Sequence, residues 1–384
     1  MTSPASAPPA TAPARHGVAD LRVSPLELFF DLVFVFTITQ LTASLAHHLT
    51  MGGLARVLVM LAIIWWMYDA FIWLSNAMPP STHPRRGLHL MSMAAFLVIA
   101  MTIPHAFDGG GWAFGWAYLV VVVAHTGMFA TVGVEPRAVT QMGVFNILSG
   151  GLIVVGGYLE GSVQLVVWLA AFALQFTVPR VVALPAFTLS AAHFVERHGL
   201  VVIVAFGESV ICIGAGAGEA HLTVKLLAAA LLSLVVCVAL WWAYFGHDDE
   251  ERAVHFMAGL DDARRNVLAV RVYNFGHYCL LLGVLLLSTG AKSVTAHPTE
   301  SIGMGPAVAL ASGVALFLVA NTAVRRTIGL APLLPRLVTA AAVLALIPLG
   351  AQVNALGEVG GIALVLALLV AYEEHTARKV KQSG

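Results

Sequence analysis

The stretch Ser24-Pro25-Leu26-Glu27-Leu28-Phe29-Phe30-Asp31-Leu32-Val33-Phe34-Val35-Phe36, written SPLELFFDLVFVF, begins like a helix and continues like a membrane span. Ser24 is a good N-cap, Pro25 suits the first helical position, and Glu27 follows the cap by three residues, which makes a capping box. Asp31 lies too far along to cap the same end. At about 100° per residue, Ser24, Asp31, Ile38 and Thr42 share one face, with Glu27 beside it. A charged Asp in the middle of a span costs about 2.5–3.5 kcal/mol. Asp31 is therefore expected to face the bundle interior, either paired or protonated. The structural alternative is a buried hydrogen bond, to Arg22 or to a neighbouring helix.

Outward from this stretch, the composition points the same way. Of 384 residues, 59% are hydrophobic and 10% charged, where a soluble domain carries about 25% charged residues. The lipid bilayer is thus the main solvent and first partner. Zero formal net charge argues against nucleic acid as a partner. Cys212, Cys237 and Cys279 sit in apolar runs and read as small buried hydrophobes. Residues 1–20 are rich in Pro, Ala, Ser and Thr and read as a disordered cytoplasmic tail. Residues 377–384 read as a basic one.

With about 20 apolar residues per crossing, the sequence predicts an all-α polytopic fold with twelve spans. These lie near 25–46, 54–77, 87–106, 112–132, 139–158, 163–184, 199–218, 223–246, 266–288, 305–324, 334–354 and 359–375. The sixth is the least regular, with Pro179, Arg180 and Pro185 at its end. This count places 16 Lys and Arg on the side of the N-terminus and Arg271 just inside it, against Arg56, Lys225 and Lys292 opposite. The positive-inside rule then puts both termini in the cytoplasm of an inner-membrane protein.

The chain also echoes itself. Asp31 and Glu208 stand 177 residues apart at the openings of apolar runs. Trp65-Trp66-Met67-Tyr68 matches Trp241-Trp242-Ala243-Tyr244 at 176, and Arg85-Arg86 matches Arg264-Arg265 at 179. Pro136-Arg137 matches Pro335-Arg336 at 199. The order of these matches predicts two parallel six-helix repeats, 21–185 and 186–376, with the working site between them at mid-depth.

The candidate ion- or substrate-binding residues are the intramembrane polar ones. Asp31 and Glu208 are the duplicated acids, and Ser209 follows Glu208. Gly214, Gly216 and Gly218 allow close helix approach or local unwinding. His125 is matched by Asn321, and His277 lies in the ninth span. These histidines read as hydrogen-bonded linkers or as parts of a proton path. Asp69 breaks the symmetry and reads as a solvated end near an interface. His193-Phe194-Val195-Glu196-Arg197-His198-Gly199 reads as an interfacial helix start ahead of the seventh span, with Arg197 about 16 Å from Glu208 along the helix. The acidic segment 247–265 reads as a solvated connection. No catalytic residue, cofactor or metal site is expected. His193, Glu196 and His198 are the nearest approach to one.

Arg22 to Phe36, RVSPLELFFDLVFVF, resembles the opening signature of the bacterial low-temperature-requirement A (LtrA) family. His193 to Ser209, with its ERHGL and GES segments, is similar to that family's second signature. The likeness runs over nearly the whole chain beyond the N-terminal tail. It implies a multi-pass bacterial inner-membrane protein linked to growth in the cold, with Glu27, Asp31, Glu196, Arg197 and Glu208 as motif members. A fainter likeness links Phe30-Asp31 and Gly207-Glu208 to the first helices of the endolysosomal potassium channels with paired six-helix repeats, which carry Phe-Ser-Asp.

Transport of a small solute or ion is the leading expectation, with intramembrane carboxylates at the repeat interface. A cation channel lined by the first helix of each repeat is the alternative, and a non-transporting scaffold or membrane enzyme is another. Ser24, Glu27, Glu196 and Arg197 are expected to be structural. A homo-oligomer is compatible with any of these.

Overall fold

The computed structural model describes residues 23–77, 82–131, 136–181, 188–218 and 221–383. The tail 1–20 and Arg22 lie outside the described residues. The N-terminal half contains α1 Pro25–His47, α2 Met51–Ala77, α3 His83–Thr102, α4 Gly111–Phe129, α5 Pro136–Gly157 and α6 Gly161–Val181. The C-terminal half contains α7 Ala191–Ala217, α8 Val224–Phe245, the short α9 Asp249–Ala258, and α10 Asp262–Ala269. A π-helical turn, Val270–Gly276, leads from α10 into α11 His277–Ala296. Then follow α12 Met304–Thr327, α13 Leu334–Leu344, α14 Ile347–Gln352 and α15 Ala355–Ser383.

The protein is all-α and polytopic. Among the described residues, eleven helical stretches are long and apolar enough to cross a bilayer, and Gly161–Thr177 is a shorter apolar one. The shorter one lies in α6, the sixth expected span, whose helix continues through Pro179 and Arg180 to Val181.

In the N-terminal half α1 packs on α2 and α3, α2 on α4 and α6, and α3 through α6 pack in succession. In the C-terminal half α7 packs on α8 and α11, and α8 on α12 and α15. There α11 packs on α12, α12 on α13 and α14, and both of those on α15. The halves meet where α1 and α2 pack on α7 and α11. Small residues draw α11 and α12 together: a Cβ on Gly313 would lie 2.3 Å from the Leu287 nitrogen.

Several expectations are corrected. The seventh helix starts at Ala191, not 199, so the signature histidines and Arg197 lie on the helix itself. The eleventh span is broken between α13 and α14, where Pro348 has no N–H to donate back along the helix. Lys292 lies within α11 and is half-buried, not in a loop. The acidic segment forms α9 and the start of α10. Its Asp249 is buried and paired with Arg325 of α12, so this segment is anchored to the bundle. Arg197, Arg325 and Arg336, three of the sixteen basic residues assigned to one side, are buried and do not act as loop charges.

Candidate functional site

The capping box forms as the sequence requires. Ser24 N and Oγ each donate to Glu27 Oε2 at 2.8 Å, and the Glu27 nitrogen donates to Ser24 Oγ. This turn aims the other Glu27 oxygen and Asp31 at α7. Glu27 Oε1 lies 3.3 Å from His193 Nε2 and 3.8 Å from Arg197 Nε. Arg197 Nη1 donates to Asp31 Oδ2 at 2.6 Å, and the Tyr68 hydroxyl of α2 donates to Asp31 Oδ1. Phe34 stacks on Tyr68 at 3.9 Å between ring centroids and fixes that hydroxyl.

Two further contacts tie α2 to α7. Asn76 clamps the N-cap of α7: its Nδ2 donates to the Ser190 carbonyl, and its Oδ1 accepts from the Ser190 nitrogen, both at 2.9 Å. The same Nδ2 lies 3.3 Å from His193 Nδ1. One turn on, His198 Nε2 is 2.9 Å from Asp69 Oδ1 and His198 Nδ1 is 2.9 Å from the Phe194 carbonyl. A neutral imidazole has one N–H, yet both nitrogens of His198 face oxygens that ordinarily accept. The pair therefore holds a shared proton, either as imidazolium with carboxylate or as imidazole with carboxylic acid.

The π turn of the ninth span borders this cluster. The Asn274 carbonyl accepts from Trp65 Nε1 at 2.7 Å, and Asn274 Oδ1 from Trp73 Nε1 at 3.3 Å. Tyr273 packs on His198 at 4.7 Å and on His277 at 4.9 Å. π turns of this kind are frequent at functional sites.

Charge follows from this geometry. Glu27, Asp31 and Asp69 come from the N-terminal half, and His193, Arg197 and His198 from the C-terminal half. All six are buried. Three carboxylates face one guanidinium. Two imidazoles also lie against the carboxylates, His193 on Glu27 and His198 on Asp69.

Further along the same helices lies Glu208. Thr39 of α1 donates to its Oε2, and Cys212 Sγ lies 3.1 Å from its Oε1. Glu208 is fully buried and has no cationic partner within ion-pair distance among the described residues. The Thr39 hydroxyl also lies 3.2 Å from the Val35 carbonyl. Its single proton therefore has two acceptors within reach, Glu208 and the Val35 carbonyl.

The contacts Asp31–Arg197 and Thr39–Glu208 advance in the same direction along both helices, so α1 and α7 run parallel. Asp31 and Glu208 are thus separated by about 12 Å of helix, the rise from Asp31 to Thr39. They do not form one carboxylate pair.

The remaining expected residues are distributed. Ser209 Oγ bonds Ser288 Oγ of α11 at 2.8 Å beside Glu208. Gly216 does allow close approach: a Cβ there would lie 2.2 Å from the Lys292 carbonyl of α11. His277 Nδ1 donates to the Val272 carbonyl at 3.1 Å and its Nε2 accepts from Tyr244 at 2.8 Å, a satisfied neutral ring. His125 reaches the Ala70 carbonyl at 3.2 Å inside the N-terminal half, away from the interface. Asn321 accepts from Arg336, which also holds Glu373 through two bonds of 2.7 and 2.8 Å. Glu196 is exposed and joins none of this. Asp69, expected as a solvated end, is buried on His198, and His193 and His198, expected at an interface, belong to the core of the site.

The segments that meet here, residues 24–31 and 193–208, are the two that resemble family signatures. The family model for bacterial low temperature requirement A protein (LtrA) matches residues 22–371. The chain belongs to the LtrA family. Among relatives of this LtrA chain, an uncharacterized protein of Rhizobium meliloti (strain 1021) is 29% identical over 316 residues, covering 78% of this chain and 76% of its own length. No solved structure matches. In this LtrA protein the two segments supply complementary groups to one cluster, Glu27 and Asp31 from the first and His193 and Arg197 from the second.

Thr39, Asn76 and Asn274 complete the site without having stood out in the sequence, and Asp69 and His198 stood out there for other roles. Complementary charge was the available signal, since acids cluster in the first two spans and bases at 193–198.

Proposed function

We propose that this LtrA protein is a proton-linked inner-membrane transporter of a small solute or ion, with Glu208 as its reversible proton site. The observation that carries this reading is the environment of Glu208: a buried carboxylate in mid-helix, bonded to two neutral donors, one of which can reverse. A carboxylate so placed holds a proton or a cation in the membrane interior. Asp31 has the different role of locking α1 to α7 through Arg197.

The reading includes two parallel six-helix repeats that meet at α1 and α7, with both termini cytoplasmic. It is supported by the four ordered sequence matches and by the packing pairs, which recur in the same order in each half. Direct contact of Thr39 with Glu208 favours an occluded carrier over a pore lined by these two helices.

The test is flux. Purified protein in liposomes, screened with candidate cations and solutes under an imposed pH gradient, should give gradient-driven flux that Glu208→Gln abolishes while insertion and thermal stability persist. Equal flux from wild type and Glu208→Gln would overturn the assignment.

A further inference from the structure

Where α9 meets α10 and the π turn, an apolar groove opens on the surface at the end of the bundle where α12 also finishes. Phe256 of α9, Leu260 just beyond its end, and Val267 and Leu268 of α10 line it. Arg264 and Arg271 border it. At i, i+3/i+4 and i+7, Arg264, Val267/Leu268 and Arg271 form one stripe, with about 10 Å between the arginines along the axis.

The two arginines differ in their surroundings. Arg264 lies 3.4 Å from Asp261, with both side chains largely exposed, so the pair is weak. Asp262 is engaged by Arg265 at 3.0 Å. Arg271 is exposed and makes no hydrogen bond or ion pair with the described residues. It nevertheless stands in the stretch 262–296, which is apolar enough to cross a bilayer. An arginine at that depth extends its stem along apolar surface and places its charge at the phosphate level. Phe256 and Val267, also exposed, present apolar surface beside it.

We propose that this groove binds an anionic phospholipid. Its phosphate lies between Arg264 and Arg271, and an acyl chain follows Phe256, Leu260, Val267 and Leu268. Basic pockets beside spanning helices recognise anionic headgroups in this way. Arg271 belongs to the π turn that carries Tyr273 and Asn274, so the bound lipid sits against the segment bordering the buried charge cluster.

The test is native mass spectrometry of the full chain in detergent, titrated with phosphatidylglycerol and with phosphatidylcholine of the same acyl chains. Wild type should retain phosphatidylglycerol at about tenfold lower concentration than phosphatidylcholine. Arg271→Gln should remove that preference, Arg271→Lys should restore most of it, and Arg252→Gln, at an exposed arginine outside the groove, should leave it unchanged. Equal retention of both lipids by wild type, or an undiminished preference in Arg271→Gln, would overturn the site. If Arg271→Gln fails to fold, Arg264→Gln replaces it, with the same loss of preference expected and the same retention contradicting the site.

Discussion

Arg197 and Asp31 form a 2.6 Å ion pair between the first helix of each half of the chain, with both side chains buried. The pair is short, supported by Tyr68, and shared with Glu27. Removing one partner leaves the other charge buried and alone, which typically costs about 3–5 kcal/mol. Arg197→Met should accordingly lower thermal stability in detergent severely. Adding Asp31→Asn to it should recover part of that loss, because the carboxylate then left, Glu27, still faces His193 and Ser24. Additive losses from the two substitutions would show that the pair does not couple the helices.

A second prediction concerns the proton shared by Asp69 and His198. Asp69→Asn places an amide donor against His198 Nε2 while Nδ1–H still serves the Phe194 carbonyl. That arrangement is satisfied by a neutral ring, so stability should change by less than about 1 kcal/mol. Asp69→Ala leaves a buried ring nitrogen without a partner and should cost about 1–3 kcal/mol. Thermal unfolding of the two variants side by side checks the order, and a more stable Asp69→Ala variant would contradict it.

Topology can be tested without knowing the transported species. Reporters fused after Lys381 and inserted at Glu300, in the exposed connection between α11 and α12, should report opposite sides of the membrane, with the C-terminus cytoplasmic. Reporters on the same side would break the span count between those points.

Much of the fold was legible because hydropathy and helix length are local properties. The inward face of α1 was also legible, since 3.6-residue periodicity places Asp31, Ile38 and Thr42 together, and all three are buried. The partner of Asp31 was not. Arg197 lies 166 residues away, and four charged or titratable residues at 193–198 lower the local hydropathy enough to read as a helix start outside the bilayer. The same burial of polar groups hid Asp69, whose cost in the membrane is offset by a histidine that sequence alone placed at an interface. Glu208 was legible as an intramembrane acid. Its distance from Asp31 was not, because that depends on the register between two helices far apart in sequence.

As the proposed proton site, Glu208 should gain and lose a proton inside the folded protein. Infrared difference spectroscopy of the reconstituted protein between acid and alkaline pH reads this directly, through the carbonyl stretch of a protonated carboxyl group. Wild type should show a pH-dependent band that is absent in folded Glu208→Gln and displaced in wild type exchanged into heavy water. An identical band in wild type and Glu208→Gln would place the titrating proton elsewhere and contradict the account.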